Sequence, residues 1–253
     1  MWRSWRSRAA VLVTAGVLAT GGGCGSEAGD ETTLDVYAAS SLTDAFGELE
    51  ATYEAANPGV DIRLNLAGSS ALLRQIEEGA AVDVYAPADP ALLDSVGRSI
   101  VGGVRTYATN ELTLVVPTEP TGDEPIGDPR ELADESVLVA RCAAGVPCGD
   151  ATERYLTDAG LTVGRSTDEA NVRSVLLKVV SGEADAGFVY TTDALARADE
   201  VTPIPLVDAP TVELAVAALS DDEHAQGFAA YIASDEAAAI FAALGFGGPP
   251  ADE

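Results

Sequence analysis

Residues Leu34–Leu49 read LDVYAASSLTDAFGEL, and in that stretch a short strand-like run gives way to a helical stripe. Leu34–Ala38 reads as a β-strand. From Leu42 the apolar residues fall at Leu42, Phe46, Leu49 and Tyr53, which share one face of an α-helix. Two small hydroxyl residues, Ser40 and Ser41, stand at the junction, and Ser41 with Asp44 has the spacing of a capping box.

The same alternation runs through the rest of the chain. Asn57-Pro58-Gly59 turns the helix into a strand over Val60–Leu66. A second helix is expected from Ala71 to Gly79, a strand at Val82–Ala86, and a third helix near Pro90, a favoured first helical residue. Glu111–Val116 reads as a strand and the polar stretch Thr118–Arg130 as a surface loop. Val137–Ala140 is a strand, followed by a helix from Asp150, where Asp150 and Glu153 form a second capping-box pair, to Gly160. Asn171–Val180 carries Val172, Val175, Leu176 and Val179 on one helical face. Strands at Gly187–Tyr190 and Val212–Ala218 and two Ala-rich helices (222–233 and 235–244) close the chain. Strand–helix alternation of this kind predicts an α/β fold with mainly parallel strands, and no internal repeat is visible.

Composition narrows the function. The chain has 253 residues, 47% of them hydrophobic, and 41 acidic against 14 basic residues, a net charge of −27. Such a surface cannot neutralise a row of phosphates, so nucleic acid is excluded as a partner. Arg3, Arg6 and Arg8 precede a twelve-residue apolar run, Ala9–Thr20. A bilayer-spanning helix needs roughly 20 residues, so the run reads as an export signal that is removed, over residues 1–23. Gly21, Gly22 and Gly23 lead into Cys24. Residues 24–31 read as a flexible tether and 247–253 as a disordered tail.

Two further cysteines, Cys142 and Cys148, form an even pair suited to a disulfide in an oxidising compartment. A bridge closing so short a loop contributes roughly 2 kcal/mol on the chain-entropy model. The competing reading is a metal site, weakened because the spacing is not Cys-x2-Cys and the one histidine, His224, lies far along the chain.

Several helices begin with small polar or glycine-bearing residues after a strand: Ala39-Ser40-Ser41-Leu42, Gly68-Ser69-Ser70-Ala71, Val146-Pro147-Cys148-Gly149 and Asn171-Val172-Arg173. Helix N-termini carry unpaired N–H groups and a partial positive charge, which together suit an anion. A capping serine can also accept from its own helix while donating to a ligand oxygen.

Taken in order, VYAASSLTDAF (36–46), LAGSSALLRQIEEGA (66–80), VDVYAPAD (82–89), VPCG (146–149), NVR (171–173) and GFVYTTDA (187–194) resemble the motifs of periplasmic molybdate-binding proteins, the soluble receptors of molybdate ABC transporters. The resemblance covers about residues 32–246. It implies a two-lobed periplasmic-binding-protein type II fold with a hinge and a central ligand cleft. It also implies that Ser41, Ser69, the backbone amides of Cys148 and Val172, and Tyr190 bind the oxyanion, with Ser70 as the neighbour of Ser69 in the motif. Molybdenum would then be held only as its oxyanion, molybdate or tungstate, through those five residues. No cofactor is implied. The permease of an ABC transporter would be the protein partner of a monomeric receptor. The N-terminus resembles a bacterial lipoprotein signal with Cys24 as the lipidated residue, although Gly21 stands where that signal usually has Leu. It implies an extracytoplasmic protein anchored to the membrane, plain secretion being the alternative.

On this reading lobe 1 comprises 32–112 and 212–246, lobe 2 comprises 113–211, and the chain crosses near 111–115 and 209–213. Five to seven hydrogen bonds to a dianion, at about 1.5–3 kcal/mol each, total roughly 10–20 kcal/mol before ordering and desolvation costs. Micromolar to nanomolar binding needs about 8–12 kcal/mol. Sulfate or phosphate, or a non-transport surface lipoprotein, are the alternatives. An enzyme is not expected: no Gly-x-Ser-x-Gly elbow is present, and His224 falls in a charged helix. Asp83 and Asp89 match the motifs and read as structural supports or caps.

Overall fold

The computed structural model describes residues 32–119 and 126–250. The expected signal segment, Cys24, the tether and the last three residues of the expected tail lie outside them. The strands are β1 (Thr32–Ala39), β2 (Val60–Ala67), β3 (Val84–Ala86), β4 (Val101–Pro117), β5 (Leu138–Cys142), β6 (Arg165–Glu169), β7 (Ala186–Tyr190), β8 (Val201–Ile204) and β9 (Thr211–Ala218). The helices are α1 (Thr43–Ala56), α2 (Ser69–Glu77), α3 (Ala91–Ser95), α4 (Pro147–Ala159), α5 (Val172–Val180), α6 (Thr191–Ala196), α7 (Glu223–Ile232) and α8 (Asp235–Ala243).

One long strand ties the two lobes of this α/β fold together. The first part of β4, through Glu111, pairs with β9, whereas Leu112–Pro117 pairs with β7 and β8. Lobe 1 holds the parallel trio β2-β1-β3 and lobe 2 the parallel trio β7-β5-β6. The crossing strands β4 and β9 run antiparallel to their neighbours. The sheet is therefore mixed rather than mainly parallel.

Alternation across the strands builds a core on each face of the lobe 1 sheet. Val84 and Ala86 of β3, with Leu214, Val216 and Ala218 of β9, meet Phe46, Leu49, Phe228 and Phe241 from α1, α7 and α8. Tyr85, Ala215 and Ala217 point the other way, onto Leu72, Leu73 and Leu93 of α2 and α3. Lobe 2 has its own core, where Leu114, Val139 and Phe188 pack against Tyr155, Val175 and Val179.

Several element limits differ from those read in the sequence. β4 begins at Val101, not Glu111: its first half contains Gly102 and Gly103 at positive φ and two register shifts that hide the strand pattern. Arg165–Glu169 forms a polar edge strand with no apolar signal. α2 starts at Ser69 rather than Ala71, and α4 at Pro147 rather than Asp150. The Asp150 carboxylate instead accepts from Gly145 N–H at 2.8 Å. A 3-10 turn over Ser40–Leu42 precedes α1, and no side-chain capping bond forms there, so the Ser41–Asp44 capping box is not made. Gly247 and Gly248, expected to begin the disordered tail, are held on β4 instead. Gly247 exchanges both backbone hydrogen bonds with Thr109, and the Thr109 hydroxyl donates to Gly248 O at 3.1 Å.

Asp83 and Asp89 are supports, as expected. The former accepts from Asp35 N–H, and the latter accepts from Ala91 N–H at the start of α3, each at 2.9 Å.

At Gly187, α5 lies directly on β7: a Cβ there would stand 2.7 Å from Val179 Cγ2 and 2.9 Å from Val175 Cγ1. Gly187→Ala should destabilise the protein by about 1–3 kcal/mol, the usual cost of overpacking a filled core. Urea unfolding checks this, and an unchanged midpoint would show that α5 can shift freely.

Candidate functional site

Four helix starts and the end of β7 converge where the lobes meet. Ser41 sits in the 3-10 turn between β1 and α1, and Ser69 is the first residue of α2. Cys148 and Val172 open α4 and α5, and Tyr190 ends β7. All five line one cavity of about 10 Å³, and none is more than 4% exposed. Ser41 and Ser69 come from lobe 1, and Cys148, Val172 and Tyr190 from lobe 2. So small a space suits a compact ligand, whereas sites for drug-sized molecules run to roughly 300–1,000 Å³. No Asp, Glu, Lys or Arg lines it.

Four of the five groups are prepared to donate. Ser69 Oγ accepts from Ala88 N–H at 3.0 Å, which leaves its own proton for another acceptor. The Ser69 carbonyl is fixed by the Tyr85 hydroxyl at 2.9 Å. Pro147 is the first residue of α4 and has no N–H, so Cys148 supplies the first amide of that helix. Val172 does the same for α5, whose N-cap Asn171 turns its side-chain oxygen to Ser174 N–H at 3.0 Å. Such first-turn amides have no carbonyl within the helix. The Tyr190 hydroxyl is buried and finds no hydrogen-bond partner among the described residues. Burial, reinforced by the nearby Asp193, pushes that phenol well above its usual range, so it stays protonated and able to donate.

Cys142 and Cys148 are joined as a disulfide, which sets aside the metal reading of this pair. The bridge links the end of β5 to the first turn of α4 and so fixes the loop that presents the Cys148 amide. The Thr152 hydroxyl holds the Cys148 carbonyl at 2.7 Å from the other side. Ser70, next to Ser69, reaches across the lobes instead of into the cavity, donating to Gly145 O at 2.5 Å. His224 lies in the first turn of α7, away from the cavity.

Gly68 marks a close approach of the lobes, since a Cβ there would stand 2.4 Å from Ala170 O. Sequence reading also passed over an ionic cluster at the back of the cavity. Arg173 Nη2 donates to Asp44 Oδ2 at 2.5 Å. Its Nε lies 2.9 Å from Asp193 Oδ1, a close ion pair whose N–H is not aimed along the hydrogen-bond direction. Asp193 is wholly buried. Burial pushes its carboxyl up to about 7, while the Arg173 guanidinium and the Tyr190 N–H pull the other way. The Asn-Val-Arg motif was informative for its amide, and nothing in it signalled the arginine's partners.

The fold and this cavity define a class of protein that a family model also identifies. The model of bacterial extracellular solute-binding proteins matches residues 34–247, and the chain belongs to that family. Within it the chain stands among ModA-type proteins. Molybdate-binding protein ModA of Mycobacterium tuberculosis H37Rv is 37% identical over 182 residues, 71% of this chain and 69% of that protein. Its Escherichia coli K12 counterpart is 31% identical over 236 residues, 88% and 91% of the two chains. Among solved structures, the Azotobacter vinelandii periplasmic molybdate-binding protein superposes with a TM-score of 0.73 at 21% identity, covering 86% of this chain and all of that one. Family membership makes this an extracytoplasmic binding protein, not an enzyme. Among the described residues no cluster of His, Cys, Asp or Glu could hold a metal ion.

Two tests follow from the geometry. Gly68→Ala should hold the lobes apart, increasing the radius of gyration in solution scattering, because the obstructing atom is backbone. Replacing Cys142 and Cys148 together by serine should lower stability by roughly 2 kcal/mol in denaturant unfolding. A smaller loss would mean that packing alone fixes the loop.

Proposed function

We propose that this protein captures molybdate, or the nearly isosteric tungstate, between its lobes and delivers it to the permease of an ABC transporter. The observation that carries this reading is the convergence of five neutral donors from both lobes on one small cavity. A fully ionised oxyanion requires donors and offers no proton. Ser41 and Tyr190 donate hydroxyls, Ser69 donates the proton left free by Ala88, and Cys148 and Val172 donate backbone amides. The names of the ModA relatives point to the same ligand.

Phosphate fits less well. It is usually protonated at neutral pH and calls for an acceptor, while no carboxylate lines the cavity and the Asn171 oxygen is taken by Ser174. Sulfate is smaller and needs a tighter cage.

The partner change of β4 between Glu111 and Leu112 supports lobes made of 32–112 with 212–246 and of 113–211, with the hinge in the crossing strands. One chain supplies all five groups, so a monomer suffices. The basic start, short apolar run and Cys24 support a lipid tether that keeps the receptor beside its permease.

Isothermal titration with molybdate, tungstate, sulfate and phosphate tests the reading. Molybdate and tungstate should bind with micromolar or tighter affinity, and sulfate and phosphate far more weakly. Ser41→Ala and Tyr190→Phe should each weaken molybdate binding about 10- to 100-fold, the equivalent of one hydrogen bond to a charged group, without lowering the unfolding temperature of the unliganded protein. No heat with any of the four anions would sink the assignment.

A further inference from the structure

Three of the cage segments are joined by an ionic chain that the five-donor site does not use. Asp44 lies three residues after Ser41, Arg173 directly follows Val172, and Asp193 lies three residues after Tyr190. Arg173 Nη2 meets Asp44 Oδ2 at 2.5 Å and Arg173 Nε meets Asp193 Oδ1 at 2.9 Å. The other Asp193 oxygen accepts from Tyr190 N–H at 3.3 Å. Asp44 belongs to α1 in lobe 1, whereas Arg173 and Asp193 belong to lobe 2. The chain therefore spans the cleft, side by side with the cage.

The two ends of the chain differ physically. The Asp193 side chain is 0% exposed, and a buried carboxylate without a partner is strongly unfavourable. Arg173 and Asp193 both belong to lobe 2, so their contact does not require the lobes to close. The Asp44 side chain is 49% exposed. When the lobes part, water can take over its interaction with little loss. One planar guanidinium reaches both partners, by a hydrogen bond to Asp44 and a close charge contact with Asp193, which a lysine's single ammonium on a flexible stem does not reproduce.

We propose that Arg173 is a positioning residue. Anchored on Asp193, it presents a fixed guanidinium edge to Asp44 that is engaged only when the lobes close, so that it slows reopening and holds Ser41, Val172 and Tyr190 in register. In its effect on ligand this inference rests on the oxyanion reading; in its effect on closure it does not. The pair is half-exposed at the Asp44 end, so its share is modest, about 2- to 5-fold in a rate.

The experiment uses the mature chain with dyes on the two lobes, read by fluorescence transfer, and stopped-flow release of molybdate. Asp44→Asn should lower the closed fraction without ligand and speed molybdate release about 2- to 5-fold, with the association rate and unfolding midpoint unchanged. High salt should shrink the difference from wild type. Arg173→Lys should recover only part of the effect of Arg173→Gln, and Asp44→Asn should add little in the Arg173→Gln background. Equal closed fractions in wild type and Asp44→Asn, or fully additive effects of the two substitutions, would overturn the proposal. If wild type failed to bind molybdate, the oxyanion reading would fall, and the ligand-free closed fraction would still decide the role of Arg173.

Discussion

The first amide groups of an α-helix have no carbonyl to bond, and in a folded protein they must find a partner elsewhere or stay wet. This molecule brings two such groups, at Cys148 and Val172 in lobe 2, to the cavity that the Ser41 and Ser69 hydroxyls line from lobe 1. The rest of the architecture can be read as the means of doing so. Parallel β-strands carry the chain to the cleft edge, tight turns reverse it into helices, and the helices lead away with their positive ends at the cavity. The five residues are buried, so donors aimed into the cavity count for more than they would in water. Fixing their direction therefore matters as much as their number. Ala88 N–H on Ser69, the Asn171 cap on α5 and the disulfide beneath Cys148 each fix one of them.

A cage divided between two lobes needs a connection that bends without unfolding either side. β4 supplies it by changing partners between Glu111 and Leu112, while β9 returns the chain to lobe 1. Each lobe keeps a closed hydrophobic core of its own, and the cores do not have to be broken for the cleft to open. Among the contacts between the lobes are polar ones: Ser70 with Gly145, Arg173 with Asp44, and the backbone approach of Gly68 to Ala170. Such contacts exchange for water at small cost, which is the property a reversible clamp requires.

Much of this was legible in the sequence because the decisive signals are local. The helical stripe from Leu42 to Tyr53 and the valine and leucine face of α5 were visible from spacing alone. So were the small residues at the helix starts, and the motif order picked out five residues that the fold brings to one cavity. The errors have physical causes. The first half of β4 is broken by two glycines at positive φ, and β6 is a polar edge strand, so neither shows an apolar period. The Asp150–Glu153 spacing imitated a helix start, yet Pro147 was the better signal, and Asp150 was needed to hold Gly145. Ser41 looked like a cap, but a 3-10 turn leaves its hydroxyl off the helix. The Asp44–Arg173–Asp193 chain could not have been seen, because its lobe 1 and lobe 2 members lie 129 residues apart in sequence and only closure makes them neighbours.

A net charge of −27 looks at odds with the proposed anion ligand until distance is considered. Surface charges act on an approaching anion through water and salt, where fields fade within about 8–10 Å. They slow encounter and give no steering, so association gains nothing from the protein's overall field. Inside the cavity the balance reverses, since the groups that line it are uncharged and, on the proposed reading, turn the positive ends of their dipoles to the anion. An anion that arrives without attraction must then be kept by slow release if it is to bind tightly. Release requires the lobes to part, and the contacts that resist parting are those across the cleft. On a surface this acidic, Arg173 is the one cation in the ionic chain beside the cage, and its guanidinium is directed at a lobe 1 carboxylate rather than at the ligand. Positive charge is spent on closing the clamp, while neutral hydrogen bonds define what it holds.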